Sequence, residues 1–300
     1  MSEEARKRSP VSFETRTGNE SIPEDLYGTR KRLQFAKDLL SDVRPRRVMD
    51  VGCGTGANLT IPLARHFPEV SFWGVDADIA SVDFAKGSNE LANVRFALPE
   101  EVPEGETFDL IIASEVVEHV DKPAEFLFSL RDKLTDSGKV LLTLPNGYGP
   151  FEAMSFLDAL LRICRIRPVL RRVKRAFTGS SGNTLAGKAD TLAVSPHVNF
   201  FSHRQICQLA AEAGLTVEQY RPRTLLCGFI FDELLGGARF SEWNARVCDR
   251  LPPFASSAWM FVLAKGDFAE SRAFRRSAYA RIRGWLNEKA PPAQALDTRR

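Results

Sequence analysis

The stretch Val48-Met49-Asp50-Val51-Gly52-Cys53-Gly54-Thr55-Gly56 constrains this chain more than any other feature. An apolar run leads into three glycines at alternate positions, and apolar residues at helical spacing follow. A strand that ends this way can turn sharply and bring its backbone close to a bound group, because no Cβ stands in the way. The helix behind it adds unpaired N–H groups at the same place. About twenty residues further on, the distance at which an acid meets a ribose diol in such sites, Val70-Ser71-Phe72-Trp73-Gly74-Val75-Asp76 reads as a strand ending in a carboxylate. The two segments together predict a nucleoside-cofactor site. Gly52, Gly54 and Ala57 also satisfy the dinucleotide pattern G-x-G-x-x-A, so an NAD-linked oxidoreductase stands as an alternative at this point.

Strand-like and helix-like segments then alternate, the pattern of a parallel sheet covered on both faces. Strands are expected at 47–51, 70–76, 93–97, 108–114 and 138–144, with helices at 57–67, 79–91 and 122–134. The apolar spacing of Leu26, Leu33, Phe35, Ala36, Leu39 and Leu40 predicts a helix over 25–40 that covers the cofactor cleft. After an interruption the pattern resumes at His197. Ser202 caps a helix over 203–213, Gly214 ends it, and strands follow at 216–220 and 259–265. Ligands of such sheets bind beyond the carboxyl ends of the strands. The glycines, Asp76, Ser114-Glu115 and Pro145-Asn146 all fall there.

Three features separate the cofactor readings. Asp50, two residues before the first glycine, would repel a pyrophosphate and suits an amine-bearing ligand. Phe108-Asp109-Leu110-Ile111-Ile112-Ala113-Ser114 runs into Glu115-Val116-Val117-Glu118-His119-Val120. After a helix comes Gly138-Lys139-Val140-Leu141-Leu142-Thr143-Leu144-Pro145-Asn146. In this order the segments resemble the class I S-adenosylmethionine-dependent methyltransferases, closely over 45–150 and more loosely over 197–266. The resemblance implies an α/β fold: a Rossmann-like, seven-stranded, mostly parallel sheet with helices on both faces and an antiparallel last strand beside the fifth. Residues 23–150 and 197–266 would form the methyltransferase domain, with 151–196 as a helical lid insertion.

The cofactor implied is S-adenosylmethionine. Asp76 would accept from the ribose hydroxyls, with Ala77 beside it. Asp50, Gly52, Cys53, Gly54 and Gly56 would line the methionine end, Cys53 as a small buried filler rather than a nucleophile. The adenine edge would be read near Leu98, where the polar residue usual in the family is missing, and Ser114 and Glu115 would lie under the cofactor. Methyl transfer to a hydroxyl also needs a base. His119 and His197 are the candidates, and Tyr148 is a candidate wall of the acceptor pocket. Glu115 and His119, four apart at a helix start, would share one face with Glu118 adjacent. The E-x-x-E-H string is similar to that of the ubiquinone-biosynthesis O-methyltransferases and the small-RNA 2′-O-methyltransferases, where it holds a metal. That implies Glu115, Glu118, His119 and His197 as a ligand set, although the reading adopted is a site without metal. A binding protein that holds the cofactor without catalysis is the remaining alternative.

Composition sets the outer bounds. Three hundred residues with 44% hydrophobic content suffice for one substantial core, and a net charge of +3 does not make the chain a basic protein. Cysteines at 53, 164, 207, 227 and 248 form no CxxC pair, which reads as reduced thiols of an intracellular protein. Met1–Pro10 lack an apolar signal core, and no apolar run is long enough to span a membrane. The expectation is a cytoplasmic chain, soluble or attached to a membrane surface. Residues 1–22 read as disordered and 267–300 as a basic extension. Leu157–Phe177 is the strongest local charge signal. It carries Arg162, Arg165, Arg167, Arg171, Arg172, Lys174 and Arg175 among apolar residues, and no acid follows Asp158. A basic amphipathic helix of this kind fits a peripheral membrane contact or a lid, and fits nucleic acid less well. The acceptor predicted is a small or lipid-linked molecule.

Overall fold

The computed structural model describes residues 24–150, 152, 156, 197–227, 238–270, 274 and 276–289. The chain opens with α1 (Thr29–Val43), then alternates β1 (Arg47–Val51), α2 (Thr60–His66), β2 (Ser71–Val75), α3 (Ile79–Ser88), β3 (Val94–Ala97), β4 (Phe108–Ser114), α4 (Pro123–Asp132) and β5 (Leu134–Pro145). After the interruption come α5 (His203–Glu212), β6 (Leu215–Pro222), α6 (Ala238–Cys248), β7 (Ala258–Lys265) and α7 (Ala278–Lys289). The seven strands lie in the order β3-β2-β1-β4-β5-β7-β6. The first five are parallel, and β7 runs antiparallel between β5 and β6. This is the Rossmann-like sheet that the family resemblance implied. The insertion 151–196, with its basic stretch 157–177, lies outside the described residues except for Glu152 and Phe156, as do 1–23 and 290–300.

The central strands are apolar on both faces because both are covered. Ile111, Ile112, Leu141 and Leu142 are all fully buried. On one face Leu33, Ala36 and Leu40 of α1 pack with Leu63 of α2, Val82 of α3, Val48 and Phe72. On the other, Leu127 and Leu130 of α4 and Ile206 and Leu209 of α5 pack with Met49, Ile111, Leu142 and Phe261. This two-sided core fixes the strand ends, and the loops at those ends carry the site.

Several boundaries differ from the expected ones, each for a local reason. α1 begins at Thr29, since Gly28 takes a left-handed turn at φ 68° and Asp25 accepts from the Thr29 amide at 2.9 Å as a cap set outside the helix. α2 begins at Thr60 rather than 57, because the glycine turn consumes Thr55–Leu59. β5 begins at Leu134, where an irregular pairing with Phe108 precedes the regular register from Lys139. α5 carries the predicted Ser202 cap in full, with Gln205 reaching back to the Ser202 amide.

One buried amide joins two loops of the site. Asn199 is 2% exposed, and its Nδ2 donates to the carbonyls of Val117 (3.3 Å) and Val120 (2.6 Å). Its Oδ1 accepts from Arg276 Nε at 3.0 Å, and the amides of Val198 and Asn199 donate to the Glu118 carbonyl at 3.0 and 2.9 Å. The loop after β4 and the segment around His197 are thereby held as one piece. Asn199→Ala strands buried carbonyls and is expected to cost about 1–3 kcal/mol of stability, measured by denaturant unfolding; an unchanged midpoint would show that this clamp does not hold the loops.

Candidate active site

The glycine turn is built as its spacing requires. Gly52, Gly54 and Gly56 take φ of 72°, 56° and 77°, the left-handed region that other residues enter only with strain. Space is as decisive as angle. A Cβ on Gly52 would come within 2.3 Å of Val116 Cγ2, and one on Gly56 within 2.5 Å of the Phe96 ring. The Gly52 and Cys53 amides donate to the Val75 carbonyl at 2.7 and 3.2 Å, so the turn is tied to the end of β2.

Asp76 stands at that end. Its Oδ2 accepts the Gly54 amide at 2.7 Å and its Oδ1 the Asp78 amide at 2.8 Å. Both oxygens are locked in place by backbone donors, and each keeps a further lone pair for a diol. Ala77 beside it is exposed. Asp50 sits deeper than the sequence suggests: it is 3% exposed and accepts the Thr60 hydroxyl at 2.6 Å, which joins the end of β1 to the start of α2. Cys53 is buried under the turn, with its thiol 3.5 Å from the Gly54 carbonyl. Leu98 is half-buried at a tight turn, where its amide donates to Glu101 Oε2 at 2.7 Å.

The end of β4 departs from expectation. Glu115 takes φ 59°, and Val117–His119 form a turn, so Glu115 and His119 do not share a helix face. The Glu115 carboxylate is instead held by the guanidinium fork of Arg223, at 2.8 and 3.1 Å, and by the Thr143 hydroxyl at 2.8 Å. Ser114 Oγ accepts from Arg32 of α1 at 3.0 Å and lies 2.9 Å from Thr143 Oγ1. Burial alone would raise the Glu115 pKa, but the charges of Arg223 and Arg32 outweigh it and hold the group at about 2. Arg32 thus ties the first helix to the end of β4.

Glu118, three residues on, has the opposite character. It is 1% exposed, and neither carboxylate oxygen has a hydrogen-bond partner among the described residues. Burial, then the nearby Glu115 charge, push its pKa up to about 8. His119 Nε2 lies 3.9 Å from Glu118 Oε1, and the His119 and His197 rings meet edge to face with centroids 4.9 Å apart. His197 Nδ1 lies 3.2 Å from Glu152 Oε1. The His197 pKa is raised: burial opposes the charged ring, but the Glu152 bond and the Glu118 charge outweigh it. The two histidines singled out in the sequence, 78 positions apart, are therefore brought together.

Glu118, His119 and His197 offer ligand atoms within 4.8 Å of one another. Glu115, the fourth member of the set that the family resemblance implies, is turned into the Arg223 fork and takes no part in this cluster. The donor set does not fit that four-residue site, and no step below is routed through a metal. Tyr148 is half-exposed at the end of β5, with its hydroxyl 2.9 Å from Ser277 Oγ and its ring 5.1 Å from that of Tyr279. Its ring belongs to an aromatic patch with Tyr279 and Phe200.

Arg32, Arg223, Glu152 and Arg283 escaped the sequence reading. Arg223 and Glu115 are 108 positions apart, and Arg283 and Glu152 are 131 apart, with no local pattern to mark either pair. The only hint for Arg223 is a charge directly after a strand-ending Pro222, at the level of the other strand ends.

The raised pKa of Glu118 has a consequence for stability. The carboxyl stays protonated in the fold, while in the unfolded chain it ionises above its ordinary 4.5. Its contribution is full below that value and is lost as pH rises toward 8, with a slope of at most about 1.4 kcal/mol per pH unit. Urea unfolding between pH 5 and 8 should show wild-type stability falling with pH and a flatter line for Glu118→Gln. Parallel lines would contradict the buried, unpaired placement.

The family model described as a methyltransferase domain matches residues 26–220, which contain the five parallel strands β1–β5 and most of β6. Among curated relatives, the malonyl-acyl-carrier-protein O-methyltransferase of Halalkalibacterium halodurans is 33% identical over 113 residues, 35% of this chain and 40% of the relative. The mitochondrial ubiquinone biosynthesis O-methyltransferase of Schizosaccharomyces pombe is 34% identical over 135 residues, 43% of this chain and 46% of the relative. The chain spans about half the length of the curated relatives it matches. Among solved structures, PKMT2 from Rickettsia typhi in complex with AdoHcy aligns with a TM-score of 0.48 at 16% identity, covering 78% of this chain and 51% of that one. Between the two cofactor readings of the glycine turn, the family match decides for S-adenosylmethionine over a nicotinamide dinucleotide. The chain belongs to the methyltransferase domain family.

Proposed function

We propose that the protein transfers the methyl group of S-adenosylmethionine to an oxygen of a small or lipid-linked acceptor, with His197 and His119 receiving the hydroxyl proton. The observation that carries this reading is the Glu118–His119–His197 cluster, which opens from the same strand ends as the glycine turn. Bound S-adenosylmethionine supplies a methyl already activated on a sulfonium, so the chain's own work is alignment, exclusion of water and removal of one proton. Asp76 holds the ribose in register. The Glu115–Arg223 ion pair ties the end of β4 to the residue after β6 and gives the cofactor a rigid polar floor. As the acceptor oxygen bonds to the methyl carbon and the sulfur–carbon bond breaks, the hydroxyl proton passes to an imidazole nitrogen. The Glu152 carboxylate, 3.2 Å from His197 Nδ1, stabilises the imidazolium that results.

The names of the relatives support an oxygen acceptor carried on a larger or lipid-like group. The surface of α7 is compatible with a membrane-borne acceptor: Ile282 and Trp285 are each 57% exposed beside exposed Arg281. No helix among the described residues is long and apolar enough to cross a membrane.

Two measurements test the reading. Asp76→Ala removes the diol acceptor and should weaken S-adenosylmethionine binding in calorimetry by about 1.5–3 kcal/mol; unchanged affinity would remove Asp76 from the site. Labelled methyl from S-adenosylmethionine should enter the lipid or small-molecule fraction of a cell extract in a chelator-insensitive reaction, and His197→Gln should slow it by about 10²–10⁴. Label confined to nucleic acid or protein would overturn the acceptor class.

A further inference from the structure

A buried arginine from the C-terminal helix reaches the acceptor side of the site. Arg283 of α7 is 1% exposed, and its Nη2 donates to Glu152 Oε2 at 2.9 Å. Glu152 is buried to the same degree, and its other oxygen lies 3.2 Å from His197 Nδ1. The guanidinium also lies over two rings, 5.6 Å from the centroid of Phe156 and 5.7 Å from that of Phe200. Phe200 packs on His197 (6.3 Å) and on Tyr279 of α7 (5.8 Å). An ion pair at this depth is seldom better for stability than well-packed apolar groups of the same size. What it adds here is direction, because a carboxylate held by a guanidinium can present its second oxygen to the imidazole in only one way. α7 lies beyond the residues matched by the family model.

We propose that Arg283 is a positioning residue of the methyl-transfer site, acting from outside the methyltransferase domain: it clamps Glu152, which in turn fixes the ring of His197. The consequence for catalysis rests on the reading of His197 as proton acceptor; the placement of the ring does not. A neutral imidazole that donates Nδ1–H to Glu152 carries its lone pair on Nε2, the nitrogen that would take the proton. Among the described residues, the charged or titratable groups about this ring are Glu118 and His119 from the turn after β4, Glu115 with Arg223 behind it, Glu152 with Arg283 behind it, and Tyr279 across Phe200.

The chain has four histidines, so the full-length protein labelled with ¹⁵N-histidine gives a spectrum simple enough to assign, with His197→Gln identifying the ring in question. The titration midpoint and tautomer of His197 are then compared in wild type, Glu152→Gln, Arg283→Met and Arg283→Lys. Glu152→Gln removes the carboxylate charge and should lower the midpoint. Arg283→Met leaves that carboxylate unneutralised and should raise it, with loss of the single Nδ1–H tautomer at high pH. Arg283→Lys keeps the cation and should stay near wild type. Opposite shifts with rescue by lysine support the proposal. Identical behaviour of Arg283→Met and wild type overturns it, as does movement of both variants toward one common value, the result of a helix that only packs. Methyl transfer absent from wild type, with these titrations as predicted, would sink the functional reading and leave the clamp standing.

Discussion

Gly52 and Val116 stand so close that one missing Cβ decides whether the end of β1 and the loop after β4 can meet. The gap to Val116 Cγ2 would be 2.3 Å. Since Gly52 is held to β2 through the Val75 carbonyl, the contact sets three strand ends against one another. From that junction the site follows. Gly54 delivers its amide to Asp76, and Val116 begins the turn that carries Glu118 and His119 toward His197. The left-handed conformations at Gly52, Gly54, Gly56 and Glu115 all lie within this small region. The strain that Glu115 alone among them bears persists where the surroundings over-determine the backbone. Here the two-sided sheet core provides that rigidity.

Two glutamates three residues apart are driven to opposite protonation states by what surrounds them. Glu115 lies in an arginine fork and stays charged with its pKa at about 2; Glu118 has no cation of its own and is pushed up to about 8. The charged group lies neutralised in the Arg223 fork, and the titratable one lies beside the histidines. The contrast follows from the left-handed turn at Glu115, after which the chain leaves the strand.

The parts legible in the sequence were those written in local patterns. Alternating apolar runs gave the sheet, the glycine spacing gave the turn, and the strand-ending acid at position 76 gave the carboxylate that holds that turn. His119 and His197 were recognised individually from the strings around them. What stayed hidden depended on long-range pairing. Arg32, Arg223, Glu152 and Arg283 look like any surface charges in sequence and become part of the site only when the fold buries them against partners from other segments. The helix expected from Glu115 failed for a related reason, since its periodicity was real but the Arg223 fork and the Thr143 hydroxyl captured the first residue.

The most direct test of the account is a crystal structure of the full chain grown with S-adenosylhomocysteine. The ribose hydroxyls should lie on the Asp76 carboxylate, the amino-acid end along Gly52–Gly54, and the sulfur should face His119 and His197. A ligand bound elsewhere, or with its sulfur turned away from the two histidines, would contradict the assignment of the glycine turn and the cluster to one methyl-transfer site.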